Sequence, residues 1–373
     1  MKKKLMLIFV SFVFLTICSP HSKVEAKSNI VPDDAYVSFE VAVFINGKLQ
    51  IMPEKAYVIE SGVKYPDLYL PFKLLTKIND ITVNYSKPIT IQSSAGVFPI
   101  DQTNSVLYEN KTYLSLEQFY KMTGFQGKRD FWANSVFLWN NEEGELKSKE
   151  LMSELDKISS DNIKSYMGQK VYLYDGERVG WVTEINYGSE YVTNMTIVLN
   201  NGKYVKSKVI NEHFNDFCSY FEFEIIDGLY AGKYYWADKI ELPSSNPLQH
   251  LEKVYFKSVK IKGKSLIIEA KRANGANQTF KLPFIYEPSD PIKSGFYISN
   301  PKAPYPGWSS AIWSKISQQK ISTGMNKDQV YLSWGEPDDV NSYTSSSLKI
   351  EQWVYGRTYL HFYNGKLESW TEL

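Results

Sequence analysis

The sequence predicts an α+β, multi-domain chain, and three observations carry that expectation. Runs with apolar residues at every second position recur along most of the chain. Asn-Gly steps at 46–47, 201–202, 274–275 and 364–365 punctuate them, and this pair best tolerates the positive φ of a tight hairpin turn. Between the runs lie short segments with apolar residues three or four apart, the spacing of one helix face. Proline-crowded stretches at 243–247 and 288–306 interrupt both patterns, because proline fixes φ and has no amide hydrogen.

The 373 residues are 43% hydrophobic and 15% aromatic. That supply is enough for two or three cores and excludes a disordered chain. There are 42 Lys+Arg against 41 Asp+Glu, a balance that gives no sign of a nucleic-acid partner or an anionic membrane surface. Two cysteines exclude a disulfide scaffold and a cysteine-rich zinc module.

The chain opens with an address. Lys2, Lys3 and Lys4 precede an apolar run from Leu5 to Cys18, and Val24-Glu25-Ala26 supplies small residues before a cut after Ala26. The run is shorter than the roughly 18–20 residues of a spanning helix, so residues 1–26 read as a secretory signal peptide. A lipid anchor at Cys18 is disfavoured, since Ile17 stands where such a box has a small residue. Removing the segment leaves 38 basic and 40 acidic residues. No second long apolar run follows, so no integral membrane segment is expected after cleavage.

Val37, Phe39, Val41, Val43 and Ile45 alternate with mostly smaller or polar neighbours as a strand that enters the Asn46-Gly47 turn. Two later segments, Tyr69–Ile78 and Tyr113–Met122, then echo one another at an offset of 44. Phe72 matches Leu116, Leu75 matches Phe119, Ile78 matches Met122 and Ile81 matches Phe125. Each reads as a short helix followed by a β-rich run, a tandem of hairpin–helix–strand units. Ile45-Asn46-Gly47-Lys48, Tyr69-Leu70-Pro71 and Tyr113-Leu114-Ser115 resemble the copper amine oxidase N-terminal-like domain, a stand-alone module of secreted Gram-positive proteins, over residues 27–140. The oxidases' catalytic part needs an Asn-Tyr-Asp/Glu motif and clustered histidines. This chain has Asn84-Tyr85-Ser86, Asn186-Tyr187-Gly188 and no His-x-His. The resemblance therefore implies a fold and a compartment, not copper or oxidation.

Leu151, Leu155 and Ile158 mark an amphipathic helical linker over 141–162. From Gly168 short strands follow one another at regular spacing, which predicts a small, SH3-like β-barrel over 163–243. A β-rich segment and a proline-rich lead-in fill 244–307.

At the C-terminus Ser309 or Ser310 can cap a helix through about Lys320. Asn326 with Gln329 forms a capping box, and Met325 with Val330 a hydrophobic staple. Gly335 reads as a left-handed stop before Pro337, and Pro337-Asp338 as the turn after the helix. Ile350–Tyr355, Tyr359–Phe362 and Lys366–Glu368 read as strands. The string Gly324–Val330, Trp334-Gly335-Glu336-Pro337-Asp338, Trp353-Val354-Tyr355 and Phe362–Leu367 resembles the SmpA/OmlA (BamE-like) family. That resemblance implies two helices on a three-stranded antiparallel sheet over 308–373, and a binding role among envelope proteins.

Little in the chain points to catalysis. His213, His250 and His361 are scattered, and a metal site needs converging ligands. Cys218 reads as a buried core thiol. Glu336, Asp338 and Asp339 form a local acidic cluster that fits a turn better than an acid–base pair. No nucleophile elbow, phosphate loop or dinucleotide fingerprint is present. The chain is expected to be a non-enzyme without cofactor or metal. It would be secreted or wall-associated and bind envelope proteins through exposed sheet aromatics, with Trp353, Tyr355, Tyr359, Phe362 and Trp370 as the candidates. A separable module at 308–373 would carry them. Peptidoglycan binding is the alternative partner reading, and an undetected cell-wall hydrolase the remoter one. The signal-peptide reading predicts a mature N-terminus at Lys27. Terminal sequencing of exported protein checks it, and a chain starting at a lipidated Cys18 would contradict it.

Overall fold

Asn46 and Gly47 take positive φ of 49° and 74° and reverse the chain between β1 (Tyr36–Ile45) and β2 (Lys48–Leu49). A computed structural model describes residues 36–60, 67–244, 246–284, 291–344 and 349–373. The signal-peptide segment and Cys18 lie outside the described residues. The chain forms two compact units that meet in sequence at Phe221/Glu222.

In the first unit, β3 (Ala56–Glu60) and β4 (Asp67–Pro71) follow β2, then a 3-10 helix over Phe72–Lys77. A small sheet of β5 (Thr82–Asn84), β6 (Thr90–Ser93) and β7 (Gly96–Pro99) comes next. β8 (Val106–Tyr108), β9 (Lys111–Ser115), α1 (Leu116–Thr123), β10 (Gln126–Asp130) and β11 (Ser135–Trp139) complete this part. The large sheet runs β10-β11-β1-β3-β4-β9-β8 with β2 beside β1, and β1 and β11 are parallel. The two segments expected as helices differ. The second is α1, where the Ser115 hydroxyl accepts from the Gln118 amide and Gly124 ends the helix. The first tightens into a 3-10 helix because Pro71 offers no side-chain cap. Its Phe72, Leu75 and Ile78 recur every three residues, the period at which 3-10 side chains eclipse. All three are buried. β4 and β9 pair antiparallel with Leu70 opposite Leu114, so two positions 44 residues apart face each other.

α2 (Glu142–Asp156) starts at Asn141, whose side chain accepts from the Gly144 amide. It packs as part of the first unit: Met152 and Leu155 are buried, and Glu154 accepts a hydrogen bond from the Tyr187 amide at 3.1 Å. After the short α3 (Asp161–Lys164) come β12 (Lys170–Leu173), β13 (Arg178–Ser189), β14 (Val192–Leu199), β15 (Tyr204–Ile210) and β16 (Phe217–Ser219). They form an antiparallel sheet ordered β15-β14-β13-β12-β16.

The unit boundary falls inside α4 (Tyr220–Tyr230) rather than at Pro243. The next strand, β17 (Tyr234–Ala237), does not belong to the preceding sheet, contrary to the 163–243 grouping. It pairs with β18 (Lys253–Lys262) and with β21 (Phe296–Tyr297). With β19 (Ser265–Arg272) and β20 (Asn277–Pro283) these give the order β20-β19-β18-β17-β21. Leu242 and Leu248, beside Pro243 and Pro247, and Ile292, beside Pro291, are buried, so these prolines border the core.

The C-terminal elements are α5 (Ser310–Ser317), α6 (Lys327–Trp334), β22 (Asp339–Thr344), β23 (Lys349–Tyr355), β24 (Thr358–Tyr363) and β25 (Lys366–Glu372). Ser309 caps α5, and the Asn326/Gln329 capping box is formed in both directions. Met325 and Val330 are fully buried. Two expectations are corrected. Gly335 has φ 86° and ψ −162°, an extended conformation open mainly to glycine and not the left-handed helical one. The sheet has four strands, β22-β23-β24-β25, because Pro337-Asp338 leads straight into a strand. The Asp338 amide donates to Val354 O, and its carboxylate accepts from the Gly356 amide.

The elements expected as a separable module at 308–373 share an apolar cluster with the segment before them. Leu251 belongs to the same apolar cluster as Ile316, Met325, Val330, Trp353, Leu360 and Phe362. Beside it His250 is buried, with Nε2 2.6 Å from Leu332 O of α6. Its Nδ1 accepts from the Lys239 amide at 3.2 Å, so Nε2 carries the proton and the ring is neutral. Burial lowers its pKa below the usual histidine range, outweighing the Leu332 carbonyl and Asp238, which pull the other way. The unfolded chain therefore takes up a proton first as pH falls through about 6.5. Stability supplied by neutral His250 is complete above that pH and lost below it. The melting temperature of the second unit should fall between pH 7 and pH 5, and His250→Gln should flatten that dependence. Calorimetry at the two pH values decides it; equal slopes would show that His250 is not the titrating group.

Candidate binding surface

Strand parity sorts the C-terminal sheet into two unlike faces. On the face toward α5 and α6, Trp353 stands opposite Leu360 and Glu351 opposite Phe362. Trp353 and Phe362 are 8% and 0% exposed, with ring centroids 4.8 Å apart. They are core residues, not surface aromatics. Glu351 is buried among them and is met by Lys327 at 3.1 Å and Lys349 at 2.7 Å. Burial pushes its carboxyl pKa up, but the two lysines more than offset this and hold it below the ordinary range. The Trp353 indole also donates to it at 3.4 Å.

The other candidates are dispersed. Tyr355 is half-buried; its hydroxyl donates to Gly335 O at 2.8 Å and its ring meets Trp334 edge-on. Burial first, then Tyr331 and Asp338, raises its pKa well above the ordinary range. Tyr359 is half-buried on the outer face, opposite Val354 and Thr371. Trp370 is 44% exposed on the edge strand β25, opposite Leu360. The five thus form no single patch, because two residues apart means the same face and one residue apart means opposite faces.

The register assembles a different surface. One row across the outer face is Tyr343, Ile350, Tyr363 and Lys366; the next is Asn341, Gln352, His361 and Ser369; the third is Asp339, Val354, Tyr359 and Thr371. Tyr343 and Tyr363 are 64% and 42% exposed. The charged groups stand on the edge strands: Asp339 and Lys366 at corners and Glu368 at the β25 bulge. The interior is tyrosine, amide, imidazole and aliphatic. Sequence reading missed Tyr343 and Asn341 because β22 lay in a stretch taken as the turn after a helix. The alternation Asp339, Asn341, Tyr343 was the available signal.

Among the described residues no three His, Cys, Asp or Glu side chains are placed to hold a metal ion, and no helix is long and apolar enough to cross a membrane. Cys218 is fully buried, in β16. Asp338 is engaged with the Gly356 amide. A cleft of about 410 Å³ is lined by Asn46, Lys48, Lys77, Asp80, Asn140 and Lys147 in the first unit. Its asparagines bond one another, Asn46 Nδ2 donating to Asn140 Oδ1 at 2.8 Å. No family model, curated protein or solved structure gives a match to this chain. The sorting of aromatics is testable: Trp353→Ala should cost about 3–5 kcal/mol of stability, as core truncations do, and Trp370→Ala less than about 0.5 kcal/mol. Denaturant titration of both variants checks the pair, and similar losses would refute the assignment of Trp353 to the core and of Trp370 to the exposed edge.

Proposed function

We propose that the protein is a secreted, non-catalytic cell-envelope protein whose C-terminal sheet docks another protein through its outer face. The observation that carries this is composition: twelve paired outward positions in three rows hold three tyrosines, Asn, Gln and His, with charge confined to the edge strands at Asp339, Lys366 and the bulged Glu368. Depletion of charge at the centre and enrichment of tyrosine and adaptable amides are features of protein interfaces. The signal-peptide reading places the surface outside the cytoplasm. A sheet backed by two helices accords with the binding role that the SmpA/OmlA (BamE-like) resemblance implies. We further read residues 36–139 as a copper amine oxidase N-terminal-like tandem, for which the Leu70–Leu114 pairing is support, and the β12–β16 sheet as SH3-like.

The face measures about 15 by 20 Å from strand spacing and rise, or about 300 Å². A stable complex buries about 800 Å² per partner. The partner must therefore also engage surface beyond this face, or the complex is transient. Tyr343→Ala with Tyr363→Ala should reduce partner recovery in a cross-linking pull-down about tenfold or more while leaving the melting temperature within 2 °C or so, since surface changes are nearly neutral. Retention on purified peptidoglycan that depends on the same tyrosines would instead favour the glycan reading. Unchanged recovery of both would exclude this face.

A further inference from the structure

The chain's near-neutral total hides a local excess. Between Lys253 and Pro283 stand eight basic residues and one acid, Glu269. Arg272 is paired with Glu252 at 2.8 Å. The seven lysines, 253, 257, 260, 262, 264, 271 and 281, are all exposed.

The sheet gathers most of them on one face. Inward positions are Val254, Phe256, Val259, Ile261, Leu266, Ile268, Phe280 and Leu282, all buried. The parity of β18 changes between Phe256 and Ser258, where the register shifts. Without that bulge the alternation begun by Val254 and Phe256 would send Lys260 and Lys262 into the core. Asp227 of α4 accepts the Val259 amide at 2.7 Å beside it. Outward, Lys260 stands opposite Ile267, which stands opposite Lys281; Lys271 lies two steps along from Glu269. At the β17 end of the same face, Lys253 lies 4.0 Å from the Tyr234 ring centroid and 5.7 Å from that of Trp236.

We propose that this face binds a flexible anionic wall polymer with one phosphodiester per repeat. Positions two apart on a strand are about 7 Å from each other, and alternate strands about 10 Å, so the ammonium groups lie at spacings that successive phosphates of a single chain can follow. Lysine suits such a ligand as a mobile point charge that demands no bidentate geometry. Tyr234 and Trp236 offer ring faces at the end of the lysine track. The centre of the face carries no exposed apolar spike for a bilayer: Ile267 is half-buried between Lys260 and Lys281. The cell-wall origin of the polymer rests on the extracellular reading above; the charge complementarity does not.

The test is titration of the full chain with poly(glycerol phosphate) at rising salt. Engagement of about five phosphates gives a slope of log K against log salt of about −3.5, at about −0.7 per contact. Lys260→Gln, Lys262→Gln, Lys271→Gln and Lys281→Gln together should bring the slope toward about −1 and cut affinity at least tenfold at 50 mM salt, at unchanged circular dichroism. Lys203→Gln, Lys206→Gln and Lys208→Gln, on or beside β15 in the other unit, should change neither. Absence of binding at 50 mM salt, or equal binding by the fourfold variant, would overturn the proposal. Tighter binding of duplex DNA or phosphatidylglycerol vesicles than of the polymer would overturn the assigned occupant. Because the titration uses purified components, its outcome is independent of where the protein resides and of any protein partner at the C-terminal sheet.

Discussion

The hydrogen bond from the Val259 amide to Asp227 sits where the chemistry of the second unit is decided. A strand covered on one side has two faces of opposite character, and a one-residue slip exchanges them. In β18 the bulge makes that exchange partway along. Before it the even-numbered residues Val254 and Phe256 are inside; after it the odd-numbered Val259 and Ile261 are. Lys260 and Lys262 face water only on that account. An ammonium facing inward would meet Phe256, Phe280 and Phe296, whose rings pack within about 6 Å of one another. Removing its hydration there without a partner would be costly. The carboxylate that receives the Val259 amide, two residues past the bulged Lys257, comes from α4 and ties that helix to the strand just after its parity changes.

The same rule makes the two sheets of this unit chemically distinct. Both are antiparallel and both bury one side. The β17–β21 sheet presents lysines, and the β22–β25 sheet presents tyrosine, amide and imidazole. They share a core through Leu251 and the His250–Leu332 hydrogen bond. A neutral buried imidazole bonded at both nitrogens is a directional joint, whereas Leu251 contributes only burial. Together they tie the segment after β17 to α6. Glu351 plays a comparable part inside the C-terminal sheet. It is a buried carboxylate tolerated because two lysines and an indole surround it. Removing one of those partners would leave charge in a hydrophobic cluster.

Local signals were read correctly where local chemistry decides the outcome. The Asn46-Gly47 and Asn364-Gly365 turns, the Ser309 and Asn326 caps and the Met325/Val330 staple all concern groups within five residues of one another. Those interactions form in a fragment as readily as in the fold. By themselves they determined the mixed α+β character and most strand positions.

What only the tertiary structure decided is partnership and facing. The pairing of β17 with β18 and β21, the fourth strand β22, and the burial of Leu242 and Leu248 beside a proline stretch each depend on segments distant in sequence. Trp353 and Phe362 were placed on the wrong side of the sheet because composition says how many aromatics a region holds, not which side the helices cover. The lysine face was legible as a local charge excess over 253–283, yet not as a face. Period two predicts alternation, and a bulge is invisible to it until the pairing on both sides of the extra residue, Lys257, is known.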